Sequence, residues 1–80
     1  MREFQDEAGH RWTATVGQRE GTDYKGAFFF VMTPLEGGES VELRDVQWNT
    51  ERTAQRTLTT MSEVELRRRL RSARGRAPVR

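Results

Sequence analysis

The sequence predicts an α+β fold: a four-stranded antiparallel β-meander followed by one bent or two short C-terminal α-helices packed on one sheet face. Three observations predict it. Apolar and polar residues alternate with period two in several short runs before residue 48, glycine-bearing turns separate those runs, and after Thr50 the apolar spacing changes to three and four residues. Eighty residues fit one domain, expected over 1–74, with a flexible basic tail at 75–80.

The first strand is expected at about 2–6, where "REFQD" sets Phe4 between polar neighbours, and Gly9 is available for the turn that follows. The second, about 11–18, is the cleanest: in "RWTATVGQ", Trp12, Ala14 and Val16 share one face and Thr13 and Thr15 the other. The third, about 27–33, breaks the alternation. In "AFFFVMT", Phe28, Phe30 and Met32 share one face while Phe29 and Val31 take the other, the pattern of a central strand covered on both sides. Pro34 ends it, because proline has no N–H to donate to a ladder. "LEGGES" reads as a hairpin loop around Gly37 and Gly38, and the fourth strand follows at about 41–47 with Val41 and Leu43 inward.

Two helices are expected next, at about 50–60 and 62–74. Asn49 or Thr50 can cap the first, with Glu51 well placed in its first turn. "SEVE" at residues 62–65 matches a capping box, so a new helix starts there. Leu66, Leu70 and Ala73 form its apolar stripe, and Gly75 and Pro78 stop it. A sheet lidded on one face by these helices leaves Phe29 and Val31 in need of cover. A curled sheet can supply it, and so can a second copy, so a homodimer is expected.

Charge layout is the most informative global feature. Residues 1–66 hold all twelve acids and seven basic residues, net −5, while 67–80 hold seven arginines and no acid, net +7; the total is +2. An acidic body with a basic end points to an anionic partner. Thirteen of the fourteen basic residues are arginine, a bias that codon usage in a GC-rich genome also produces. Clustering, rather than number, is therefore the informative feature of the arginines. With Leu66 at zero on a helical wheel, Arg67, Arg71 and Arg74 fall at about 80–140°, forming a guanidinium row on one flank. Arg68 lies beyond them and Arg76 in the tail. These five are the candidate anion- or nucleic-acid-binding residues, since guanidinium binds phosphate in bidentate fashion. Two plainer readings stand beside this one: a solvated helix end favoured by the helix dipole, and arginines that neutralise the acidic body, within the chain or across a dimer.

The alternative function is a protein–protein adaptor or regulatory subunit, with Phe29, Val31, Tyr24 and Leu70 as candidate interface residues. Catalysis is not expected, because His10 sits in a turn, Ser40 and Ser62 read as turn and cap, and the carboxylates are scattered. Without cysteine, and with one histidine, no disulfide, thiolate metal site or histidine zinc cluster can form, and no cofactor is expected. No apolar run approaches a membrane span and the N-terminus lacks a signal-peptide layout, so a soluble, cytoplasmic protein without a membrane partner is expected. Four antiparallel strands and a helix also resemble, in topology, the repeat of the PUR family of single-strand binders, which implies that such a layout can support dimers and nucleic-acid binding. The outward strand positions here are mostly threonine and acid, where that family carries basic and aromatic residues.

Overall fold

The structure, a computed structural model, describes residues 1–18 and 27–75. Strand β1 (Arg2–Gln5), β2 (Arg11–Gln18), β3 (Phe28–Pro34) and β4 (Val41–Trp48) form one antiparallel sheet in the order β1-β2-β3-β4. Helices α1 (Glu51–Thr60) and α2 (Glu63–Gly75) follow, and both pack on the same sheet face. The expected meander and helix pair are present, with boundaries shifted by at most one residue.

Alternation sets the register. Trp12, Ala14 and Val16 face the helices, and each lies opposite or next to Phe30 or Met32 of β3. Together with Phe4, Leu43, Ala54, Leu58, Leu66 and Leu70 they build the core, with the Phe30 and Trp48 rings stacked at 4.3 Å between centroids. The turns use their glycines as read: Gly9, Gly37 and Gly38 have φ of 89°, 102° and 123°, a region that other residues rarely enter.

The helices break where the capping box predicts. The Thr50 side chain accepts the Thr53 N–H at the start of α1, and the Ser62 hydroxyl accepts the Glu65 N–H at 3.1 Å to start α2. The end of α1 is closed from afar. One guanidinium nitrogen of Arg2 reaches the carbonyl oxygens of Leu58, Thr59 and Met61 at 3.0, 3.2 and 2.7 Å. A cation thus meets the negative end of a helix that has no basic residue in its own last turn.

The outer sheet face departs from expectation in one respect. Phe29 is only 4% exposed within a single chain, so a second copy is not needed to cover it. Gly17, its partner on β2, leaves room for the ring, and the Arg44 guanidinium lies 4.6 Å above the ring centroid. A side chain at Gly17 would meet Val31 at 2.8 Å and the Phe29 ring at 3.2 Å. Val31 is half-buried on the same face.

Strand β4 also carries an irregularity that no sequence pattern announces. Its pairing shifts between Phe30↔Leu43 and Phe28↔Trp48, so residues 44–47 bulge from the ladder. Both sheet edges are thereby blunted, β4 by this bulge and β1 by α2, whose side chains cap the backbone of Gln5.

Two outcomes are expected in chemical denaturation. Arg2→Ala should lose about 1.5–3 kcal/mol, the worth of hydrogen bonds from a charged donor, read as a lower urea midpoint at unchanged slope. Gly17→Val should lose about 1–3 kcal/mol through overpacking against Val31 and Phe29.

Candidate anion-binding cleft

The β1–β2 turn is built around one carboxylate. Asp6 Oδ1 accepts the N–H groups of Ala8 and His10, each at 2.9 Å, and Oδ2 accepts the Trp12 indole N–H at 2.9 Å. Asp6 also donates its own N–H to the His10 carbonyl at 2.8 Å. Its side chain is 10% exposed, and the indole it holds belongs to the core. Buried tryptophan needs a partner for its N–H, and an Asx-type turn needs an acceptor, so one side chain meets both requirements. Asp6 was expected to end the first strand; it organises the turn instead.

α2 lies along this turn with its arginine flank inward. The backbone of Gln5 donates its N–H to Glu63 Oε2 at 3.2 Å and accepts from Arg67 Nε at 3.1 Å. One turn further on, Arg71 pairs with Glu7. Arg74 then sits 3.8 Å from the Asp6 carboxylate and 5.6 Å above the Trp12 ring centroid. Glu63, Arg67, Arg71 and Arg74 thus form a zipper at i, i+4, i+8 and i+11 along the end of β1 and its turn. Between helix and turn lies an open cleft of about 490 Å³, lined by Asp6, Glu7, Ala8, Arg67, Leu70, Arg71 and Arg74.

The structure brings Arg67, Arg71 and Arg74 together, as the helical wheel requires. Arg68 points away and pairs with Glu65 at 3.3 Å, while Arg69, not among the candidates, pairs with the same glutamate at 3.1 Å. Arg76 and Tyr24 lie outside the described residues, as does most of the basic tail. Leu70, a candidate interface residue, is spent on the core at 1% exposure. Phe29 is likewise buried, so of the interface candidates described here Val31 alone keeps substantial exposed surface.

Sequence reasoning missed the acidic half of the cleft. Glu63→Arg67 and Glu65→Arg69 are i, i+4 pairs of the favourable orientation, a legible signal. Asp6 and Glu7 had no such signal, since they lie more than sixty residues from their arginines. Arg52 and Arg56 of α1 were also passed over; they are exposed, and neither has an acid three or four residues away.

Ser40, Ser62 and His10 make local structural contacts. Ser40 and Thr33 hydroxyls share a hydrogen bond at 3.0 Å, Ser62 caps α2, and the exposed His10 ring lies 3.7 Å from Asp6. Among the described residues no group of histidines and acids is arranged to hold a metal ion, and no helix is long and apolar enough to cross a membrane. No known protein family matches this chain, and neither a characterised protein nor a solved structure matches it. The topological likeness to PUR repeats therefore carries no argument here.

The Trp12 hydrogen bond, with the His10 and Ala8 N–H groups and the His10 charge, holds the Asp6 carboxyl below its ordinary pKa of 3.8, against an opposing effect of desolvation. A lowered folded-state pKa means stability that is complete above the unfolded value and lost as pH falls through the folded one. Urea midpoints between neutral pH and about pH 2 should therefore fall in the acid limb, below the ordinary carboxylate value. Asp6→Asn should lower the midpoint at neutral pH and flatten that limb, because either amide orientation sets an NH₂ group against an N–H donor.

Proposed function

We propose that the protein is a small non-catalytic binding module that engages an anionic partner, RNA or DNA, through the arginine flank of α2. The observation that carries this reading is the alignment of Arg67, Arg71 and Arg74 along one open cleft. Seven residues of helix span about 10 Å, enough for neighbouring phosphates of one strand to meet successive guanidinium forks.

The acids in the cleft do not remove this capacity. The carboxylate of Glu7 and the guanidinium of Arg71 are 63% and 62% exposed, and exposed pairs contribute at most about 1 kcal/mol. A nucleic-acid strand, whose successive phosphates can meet Arg67, Arg71 and Arg74 together, competes with such a partner on favourable terms. Asp6 is different, because its oxygens are committed to the turn. It imposes a fixed negative charge at one end of the row. Arg67 lines the other end of the cleft, and Arg68 faces away from it.

A second reading, a protein–protein contact through a homodimer, rests on the outer sheet face. Neither helix lies on it, and Thr13, Thr15 and Thr33 flank the half-buried Val31 there. The burial of Phe29 beneath Arg44 leaves this face less apolar than the sequence pattern implies.

Fluorescence anisotropy with short single-stranded RNA and DNA tests the first reading. Affinity should fall steeply with salt, by about 0.7 logarithmic units per phosphate contact per tenfold change. The variant R67A/R71A/R74A should lose most of its affinity and about two units of that slope, with unchanged circular dichroism. Salt-independent binding, or a triple variant that binds as the parent does, would overturn the reading. Sedimentation equilibrium without ligand tests the second: a concentration-independent monomer contradicts it.

A further inference from the structure

We propose that Glu7 is a built-in competitor for the anion site, a carboxylate that holds the centre of the arginine row until a phosphate displaces it. This regulation rests on the reading of the cleft as an anion site. Three features of the cleft carry it.

First, the two ends of the row are fixed and its centre is not. Arg67 is tied to a main-chain oxygen of β1, that of Gln5. Arg74 lies over the buried Trp12 and beside the nearly buried Asp6. Arg71, between them, is held at its tip by an exposed glutamate on the other wall of the cleft. The flanking guanidinium groups also face carboxylates, Glu63 at 3.8 Å from Arg67 and Asp6 at 3.8 Å from Arg74. Further contacts to Gln5 and Trp12 preorganise them, while Arg71 is held by Glu7.

Second, Glu7 is dispensable to the turn that carries it. The hydrogen bonds that shape residues 6–10 go to the Asp6 side chain and to the main chain of Asp6 and His10. The Glu7 carboxylate can therefore rotate into solvent without disturbing the backbone, and Arg71 is released without unfolding anything.

Third, the chemistry of the occupant matches that of the ligand. A carboxylate and a phosphate present paired oxygens to the same guanidinium fork. Glu7 is in this sense an internal stand-in for the anion. Its effect is to raise the ligand concentration needed for occupancy and to reject weak monoanions, which gain little by replacing a carboxylate already in place.

The test measures binding of a labelled oligothymidylate to the full chain by anisotropy at low salt. Glu7→Gln should bind about two- to fivefold more tightly than the parent, the equilibrium factor of an exposed ion pair. Glu51→Gln makes the same charge change at the opposite end of the sheet, beyond the Phe28↔Trp48 pair, and should produce a smaller gain. In an Arg71→Ala background the effect of Glu7→Gln should shrink to that of Glu51→Gln, since the coupling is pairwise. If the parent binds through the arginine row but Glu7→Gln gains no more than Glu51→Gln, the competitor is overturned and the anion site stands. If neither the parent nor Glu7→Gln binds, the anion site itself fails, and the competitor with it.

Discussion

The Asp6 carboxylate is where turn, core and C-terminal helix meet. It shapes the β1–β2 turn through two backbone N–H groups, anchors the indole of a core tryptophan, and presents its charge to Arg74 at the far end of α2. At the other end of β1, Arg2 closes α1 and fixes the junction from which α2 departs. A four-residue edge strand thus holds both helices, one by each end. The direction of α2 across the sheet, and hence the place of its arginines, depends on these two polar anchors.

Such anchoring suits a domain with so little interior. The core is one-sided, a sheet face lidded by two short helices, and its fully buried helical share is Ala54, Leu58, Leu66 and Leu70, with Met61 and Ala73 packed at its margin. Directional contacts at the ends of β1 restrict the helix pair. Placed against Gln5, Glu7 and Asp6, Arg67, Arg71 and Arg74 form a row of cations whose central member is held by an exposed carboxylate. Under the proposed function, structure and binding draw on one set of side chains.

Local features were legible in the sequence and long-range ones were not. The alternation of "RWTATVGQ" and the two caps at Thr50 and Ser62 each depend on residues within a few positions, and each appears where the pattern places it. The β4 bulge has no glycine or proline to mark it and is imposed by how that strand meets β3. The covering of Phe29 depends on Gly17, read only as part of a strand, and on Arg44, which lies over the ring from β4. At the cleft, the wheel correctly groups three arginines, but their acids come from a turn at the other end of the chain. A charge count by segment describes an acidic body and a basic end as separate regions. Folding lays one against the other, so the arginine row meets carboxylates before it meets any ligand.

The central claim is that the α2 arginine flank and the β1–β2 turn form one cleft able to receive an anion. The most direct test is a ¹H–¹⁵N NMR titration of the full chain with a short single-stranded oligonucleotide, including the arginine Nε–Hε signals. The account requires shifts confined to residues 5–10, the α2 flank from Glu63 to Arg74, and the Trp12 indole N–H. Shifts centred on α1 or on the outer face of β2 and β3, with the cleft unmoved, would contradict it.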